Sequence, residues 1–213
     1  MPANRDLLRT LVAAGVGDER VLDAFQRIPR YEFVPAAERA RAHEDVPLPI
    51  PHGQVTTQPS LMARMVEALG LRGTERVLEV GTGHGFQTAL LARLAHEVWS
   101  VERWEDLAAT ARASLRRLGF ENAYVVVGDG SKGLPRQAPF DAIVVAAAFT
   151  RVPEPLSDQL AHSGRLVQPI GPGGREQVAR FVKEPTGLRR HGLVTAAHFV
   201  RLVGEHAFAK EGD

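Results

Sequence analysis

The stretch Val77-Leu78-Glu79-Val80-Gly81-Thr82-Gly83-His84-Gly85-Phe86 decides the fold. Its first four residues read as a short buried strand, and residues 86–94 continue as a mostly apolar helix. Between them stand glycines 81, 83 and 85. A strand that turns through glycines into a helix lets a ligand approach the backbone, where side chains would collide with it. The dinucleotide fingerprint places its third glycine one residue later, in the slot filled here by Phe86, which disfavours a nicotinamide-dependent oxidoreductase. By itself the turn is equally compatible with a tight strand–helix connection that binds nothing.

Beyond the turn, strands are expected at 98–101, 124–127, 142–145 and 164–170, with helices at 105–118 and 156–160. Strands separated by helices imply a parallel, doubly wound α/β sheet with right-handed crossovers. Two further β-rich runs, 177–183 and 193–203, predict an antiparallel C-terminal edge. Ahead of the turn, Leu7, Leu8, Leu11 and Val12 mark one helix and Asp18 caps a second carrying Val21, Leu22 and Phe25. Residues 41–58 hold few periodic apolar positions, and an irregular stretch of that length is usually functional. Pro59 then opens a helix through Met62, Met65, Val66 and Leu69.

Two acidic residues give the glycine turn its meaning. Glu102 ends the second sheet strand, about 20 residues past the first glycine, where a carboxylate can accept both ribose hydroxyls. Asp129, in Gly128-Asp129-Gly130, follows the next strand and is placed to accept an adenine amine, with the Gly130 backbone beside the ring. A G-x-G-x-G turn after a strand is the arrangement methyltransferases use for the methionine moiety of S-adenosylmethionine. Three such features at the carboxyl ends of successive strands point to that cofactor, because this edge is where open α/β sheets bind ligands. The expected cofactor residues are Gly81, Thr82, Gly83, Gly85, Glu102, Arg103, Asp129 and Gly130.

Composition narrows the class. The 213 residues are 44% apolar and 24% charged with a net charge of +1, an ordinary globular balance without the basic surface that nucleic acid demands. Arg189-Arg190-His191 is the one dense basic cluster and reads as a solvated turn. There is no cysteine, and the eight histidines show no metal-ligand spacing, so no metal is expected. No secretory signal or bilayer-length apolar run is visible, so a soluble cytoplasmic protein, acting as a monomer away from membranes, is the default. The length suits one domain over 1–213: an N-terminal helical and loop extension to about residue 70, then the sheet core.

The chain resembles the protein-L-isoaspartate O-methyltransferase family. The likeness runs from Ile28-Pro29-Arg30-Tyr31-Glu32-Phe33-Val34-Pro35 through residues 44–50 and His52-Gly53-Gln54-Val55-Thr56-Thr57-Gln58-Pro59 into the glycine turn. It resumes at Gly128-Asp129-Gly130, Ala138-Pro139-Phe140-Asp141-Ala142-Ile143, residues 160–169 and Phe199-Val200-Arg201-Leu202. It implies a Rossmann-like class I methyltransferase sheet and repair of isoaspartyl residues in peptides and proteins, by methylation of the free carboxylate. It places the substrate at Gln54, Thr56, Phe199 and Val200, and matches Thr57 to a serine beside the substrate carboxylate, making Thr57 the candidate active-site residue. Thr57 suits a helix N-cap equally well. The chain departs from the family pattern at His43, Pro51, Val55 and Arg201, which stands where a proline is usual.

A carboxylate is already ionised at neutral pH, so methyl transfer to it needs no general base. Orientation of the oxygen in line with the methyl group and exclusion of water should carry catalysis. Two alternatives stay open at this point: a carboxyl methyltransferase of a small molecule or ribosomal peptide, and a non-catalytic S-adenosylmethionine-binding adaptor. His52, His84, Trp99 and Trp104 read as turn or packing residues.

Overall fold

A seven-stranded sheet with the order β5-β4-β3-β6-β7-β8-β9 organises the molecule. The computed structural model describes residues 2–172 and 174–209, with side chains from residue 6 onward. The sheet strands are β3 (Arg76–Val80), β4 (Glu97–Glu102), β5 (Ala123–Val127), β6 (Phe140–Val145), β7 (Leu160–Ile170), β8 (Glu176–Glu184) and β9 (Gly187–Ala197). Strands β3 to β7 pair in parallel, while β8 and β9 run antiparallel to their neighbours. Helices α4 (Phe86–Leu94) and α5 (Glu105–Arg117) make the first crossovers, and the one-turn α6 (Glu154–Asp158) precedes β7. The parallel sheet with its antiparallel edge is as the periodicity predicts.

The central strands β3 and β6 are buried on both faces, which is why they read as nearly continuous apolar runs, interrupted in β3 by the buried Glu79. On one face, Val77, Ala142, Val144 and Val167 pack with α4 and with the N-terminal helices α1 (Pro2–Ala13), α2 (Glu19–Arg27) and α3 (Pro59–Ala68). Leu78, Ile143, Val145 and Leu166 face the other side with Phe140, Leu156 and Phe149. One core cluster thus joins the N-terminal extension to the sheet. The Asp18 side chain caps α2 by accepting from the Arg20 N–H at 2.8 Å.

Four local expectations are corrected. The 41–58 stretch contains a small antiparallel hairpin, β1 (Leu48–Ile50) and β2 (Gln54–Thr56), joined through His52 and Gly53, both at positive φ. Three-residue strands carrying a proline show no alternation that could reveal them. The short helix ends at Asp158, and β7 begins at Leu160 rather than at 164. The last strand spans Gly187–Ala197, and residues 198–203 leave the sheet to form isolated bridges from Arg201 to Ala148 and from Val203 to Phe208. Arg189-Arg190-His191 accordingly lies within β9, not in a turn. It escaped the pattern because an edge strand with a solvated face carries polar side chains; Arg189 and His191 both pair with Glu184.

Candidate active site

The carboxyl ends of β3, β4 and β6, the hairpin and the 200–203 segment enclose a cavity of about 670 Å³. That lies within the range of cofactor sites. Its floor is the glycine turn. Gly83 adopts φ +54, and a Cβ there would meet only Ile50 Cδ1 of the hairpin, at 3.4 Å. The turn is therefore roofed by the hairpin rather than packed on the sheet. Gly130 is required for a different reason: any Cβ would run into Val80 of β3.

Glu102 reaches under this turn. Its Oε2 accepts the Gly83 N–H at 2.9 Å and its Oε1 the Trp104 N–H at 3.1 Å. It is 5% exposed, and each oxygen retains a lone pair for a further donor. Below lies a buried chain in which Thr82 Oγ1 bonds Ser100 Oγ at 2.5 Å and Ser100 Oγ donates to Glu79 Oε2 at 2.6 Å. Glu79 also accepts from Gln87 and Thr88. Burial pushes its carboxyl up to about 7, against the pull of those three donors. This network fixes the strand end from which the turn departs.

The structure brings Gly81, Thr82, Gly83, Gly85, Glu102, Arg103, Gly130, Gln54, Thr56, Thr57 and Val200 to this one cavity. Asp129 and Phe199 do not line it. Asp129 faces a neighbouring cavity beside Arg103 and Trp104. Its carboxylate accepts from the Ser131 N–H at 2.9 Å, the Ser131 hydroxyl at 2.6 Å and the Glu205 N–H at 2.8 Å. Burial raises its pKa, but the Glu205 and Ser131 donors outweigh this and hold it below the usual carboxylate range. The Asp129 carboxylate thus orders two turns, and Gly130 presents this loop to the main cavity. Phe199 lines an adjoining groove of about 390 Å³ that shares Val55, Thr57, Ala146 and Val200 with the main cavity.

The two threonines differ in their commitments. Thr56 Oγ1 accepts from Arg30 at 3.0 Å and from the Leu48 N–H at 3.1 Å. The Thr57 side chain stands between cavity and groove, and its hydroxyl makes no hydrogen bond among the described residues. Nor does it cap α3. That role falls to Asp45, which accepts the Ser60 N–H at 2.8 Å and the Gln58 side chain at 2.9 Å.

Sequence reasoning missed two anchors of the hairpin. At its base, Arg30 is 5% exposed and donates to the carbonyls of Ala42, Glu44 and Val46 as well as to Thr56. Burial lowers its pKa to about 10, with Asp45 and Glu44 opposing, so it stays charged at neutral pH. At the tip, the His52 ring stacks on Trp104 with centroids 3.9 Å apart and planes 4° apart, and His52 Nε2 lies 2.8 Å from Asp106 Oδ2. These contacts join residues more than 50 positions apart, and no local pattern reports them. The loop's lack of apolar periodicity was the available signal, since its carbonyls needed a buried donor from elsewhere.

The model of the protein-L-isoaspartate(D-aspartate) O-methyltransferase family matches residues 2–207. The chain belongs to that family. A protein-L-isoaspartate O-methyltransferase of Roseiflexus castenholzii is 47% identical over 207 residues, covering 97% of this chain and 94% of its own. A solved protein-L-isoaspartate O-methyltransferase superposes with TM-score 0.86 at 32% identity, over 96% of this chain and 67% of that one. A Plasmodium falciparum methyltransferase of the same type, solved in complex with S-adenosyl-L-homocysteine, shares the fold with TM-score 0.78 at 23% identity. S-adenosylmethionine, the cofactor of the protein-L-isoaspartate O-methyltransferase family, fits the residues present: a cradle that a Cβ at Gly83 would fill, and a buried glutamate with spare acceptors beside it.

Replacing Glu102 with alanine removes the ribose acceptor expected there and the tie to Gly83. Charge-assisted hydrogen bonds contribute about 1.5–3 kcal/mol each, so cofactor affinity should fall at least about tenfold, read by calorimetric titration. Unchanged affinity would place the nucleoside elsewhere.

Proposed function

We propose that this protein transfers a methyl group from S-adenosylmethionine to the free carboxylate of isoaspartyl residues in damaged proteins, the first step of their repair. The observation that carries the reading is the uncommitted Thr57 hydroxyl, set at the junction of the glycine-turn cavity and the Phe199–Val200 groove. One opening would serve the cofactor and the other the peptide, with the hydroxyl between them.

When bound, the cofactor supplies an electrophilic methyl group on a sulfonium. Gly81 and Gly83 would leave room for its methionine moiety, Glu102 would accept from its ribose hydroxyls, and Gly130 and Trp104 would line the space for its base. Thr57 donates to one oxygen of the substrate carboxylate and so aims the other; no proton is removed, because the acid is already ionised. Ile50, buried on the roofing hairpin, would exclude water, and dry surroundings favour the cancellation of opposite charges as the bond forms. Asp129 acts through the turn it orders, and Gln54, Thr56, Phe199 and Val200 shape the peptide's path. The whole chain is read as one catalytic domain, since residues of α1 to α3 share a core with the sheet. It would act as a cytoplasmic monomer on protein substrates, without nucleic acid or membrane.

The test compares isoaspartyl and aspartyl forms of one peptide with labelled cofactor. Methylation of the isoaspartyl form alone supports the reading. Equal methylation would favour a broader carboxyl methyltransferase, and cofactor binding without turnover an adaptor. Within this scheme Thr57→Ala should lower kcat/KM about 10- to 100-fold, with Thr57→Ser close to the parent, since one hydrogen bond to a charged group is at stake. An active Thr57→Ala enzyme would remove that residue from the mechanism.

A further inference from the structure

Beside the groove-lining Val200, the edge of the main cavity carries an arginine that forms no ion pair among the described residues, and a second such arginine lies nearby. Arg201 lines the main cavity and is exposed; its guanidinium lies 5.3 Å from the Phe208 ring centre. Phe208 meets Phe149 edge-on at 4.9 Å, and exposed Arg151 lies 5.6 Å from the Phe149 ring centre. Two arginines thus rest on opposite members of one aromatic pair. Arg201 is also fixed by its backbone: it bridges to Ala148, with Ala148 N–H donating to Val200 O and Leu202 N–H to Ala148 O, each at 2.7 Å.

Carboxylates on this edge are engaged elsewhere. Glu102 is held by Gly83 and Trp104, Asp129 by Ser131 and the Glu205 N–H, and Glu205 by Lys132. Glu154, three residues past Arg151, makes no ion pair with it among the described residues. A guanidinium laid on a ring is partly stripped of water, is held in one plane and keeps its donor edges open, the state suited to paired bonds with a carboxylate.

We propose that Arg201, supported by Arg151, selects peptides carrying an acidic side chain next to the residue being methylated. The proposal rests on the isoaspartyl reading and deepens it, since Arg201 sits one residue past Val200, in the segment assigned to the peptide's path. It also gives a role to a position where the family pattern has proline. Arg201 touches no reacting atom and acts as a specificity residue.

The experiment uses the intact protein and a set of isoaspartyl peptides differing only in one flanking residue, Glu, Gln or Lys, placed on either side in turn, each with its aspartyl control. The expected result is a KM about three- to tenfold lower for a Glu flank than for Gln, and higher again for Lys, with kcat unchanged. In Arg201→Gln the three KM values should converge, read as ratios among the three peptides within that variant, and Arg151→Gln should give a partial effect. Added salt should erase the Glu preference in the parent and change little in Arg201→Gln. Equal KM values in the parent, or a Glu preference that survives in Arg201→Gln, would overturn this proposal and leave the isoaspartyl reading intact. Failure to prefer any isoaspartyl peptide over its aspartyl control would overturn both.

Discussion

Gly83→Val should abolish S-adenosylmethionine binding, with affinity falling more than about 100-fold while the protein still folds. Two effects combine. At φ +54 a β-branched residue is a genuine outlier, so the turn must either distort or hold strain on the order of 1–3 kcal/mol. If it holds, the isopropyl group projects into the gap between the turn and Ile50, which is where the methionine moiety is proposed to lie. A Cβ at Gly83 would meet no sheet side chain within 4 Å, so the core is spared. Calorimetric titration measures the affinity, and a thermal melt checks the fold. Near-parental affinity in a folded variant would mean that the turn does not face the cofactor.

Arg30→Met should cost about 3 kcal/mol or more of stability and lower Tm by on the order of 10 °C. Methionine replaces the volume but none of the donors. The carbonyls of Ala42, Glu44 and Val46 would each lose this donor, while the Thr56 hydroxyl would keep only the Leu48 N–H. An unsatisfied buried acceptor costs about 1–3 kcal/mol, and three carbonyls are affected together, softened by the water their part-buried sites admit. Loss of activity should exceed loss of stability, because Thr57 follows Thr56 in the chain and is placed by the same anchor. Parental melting and turnover would show that the loop is held by its prolines alone. Arg30→Lys should recover only part of either property, since one ammonium cannot span acceptors contributed by four residues.

These two residues mark what the sequence did and did not make legible. Gly83 was readable because a strand period, a glycine turn and a helix period follow one another within ten residues, and each is a local signal. The same locality made β3, β4, α4 and α5 recoverable to within a residue or two. Glu102 was reachable as well, since parallel strands fix the end of β4 beside the turn. Arg30 was not. An arginine is normally exposed, and nothing between Pro29 and Tyr31 announces that its partners lie 12 to 26 residues away. His52 does occupy the hairpin turn, but its stack with Trp104 is settled only when the hairpin folds over α5. Asp129 is legible from its place at a strand end, whereas the Glu205 N–H that its carboxylate accepts is not. That detail depends on residues 204–206, some 75 positions away.

The hairpin also bears on the order of events during turnover. Val55 and Thr57 face both openings, so they form a shared partition between the proposed nucleoside side and the proposed peptide side. A peptide seated in the outer groove would press that partition shut. Traffic should then be sequential: nucleoside first in, modified peptide first out, spent nucleoside last. In steady-state kinetics, S-adenosylhomocysteine should compete with S-adenosylmethionine but not with the peptide, and a methylated peptide able to bind ahead of the nucleoside would contradict this order.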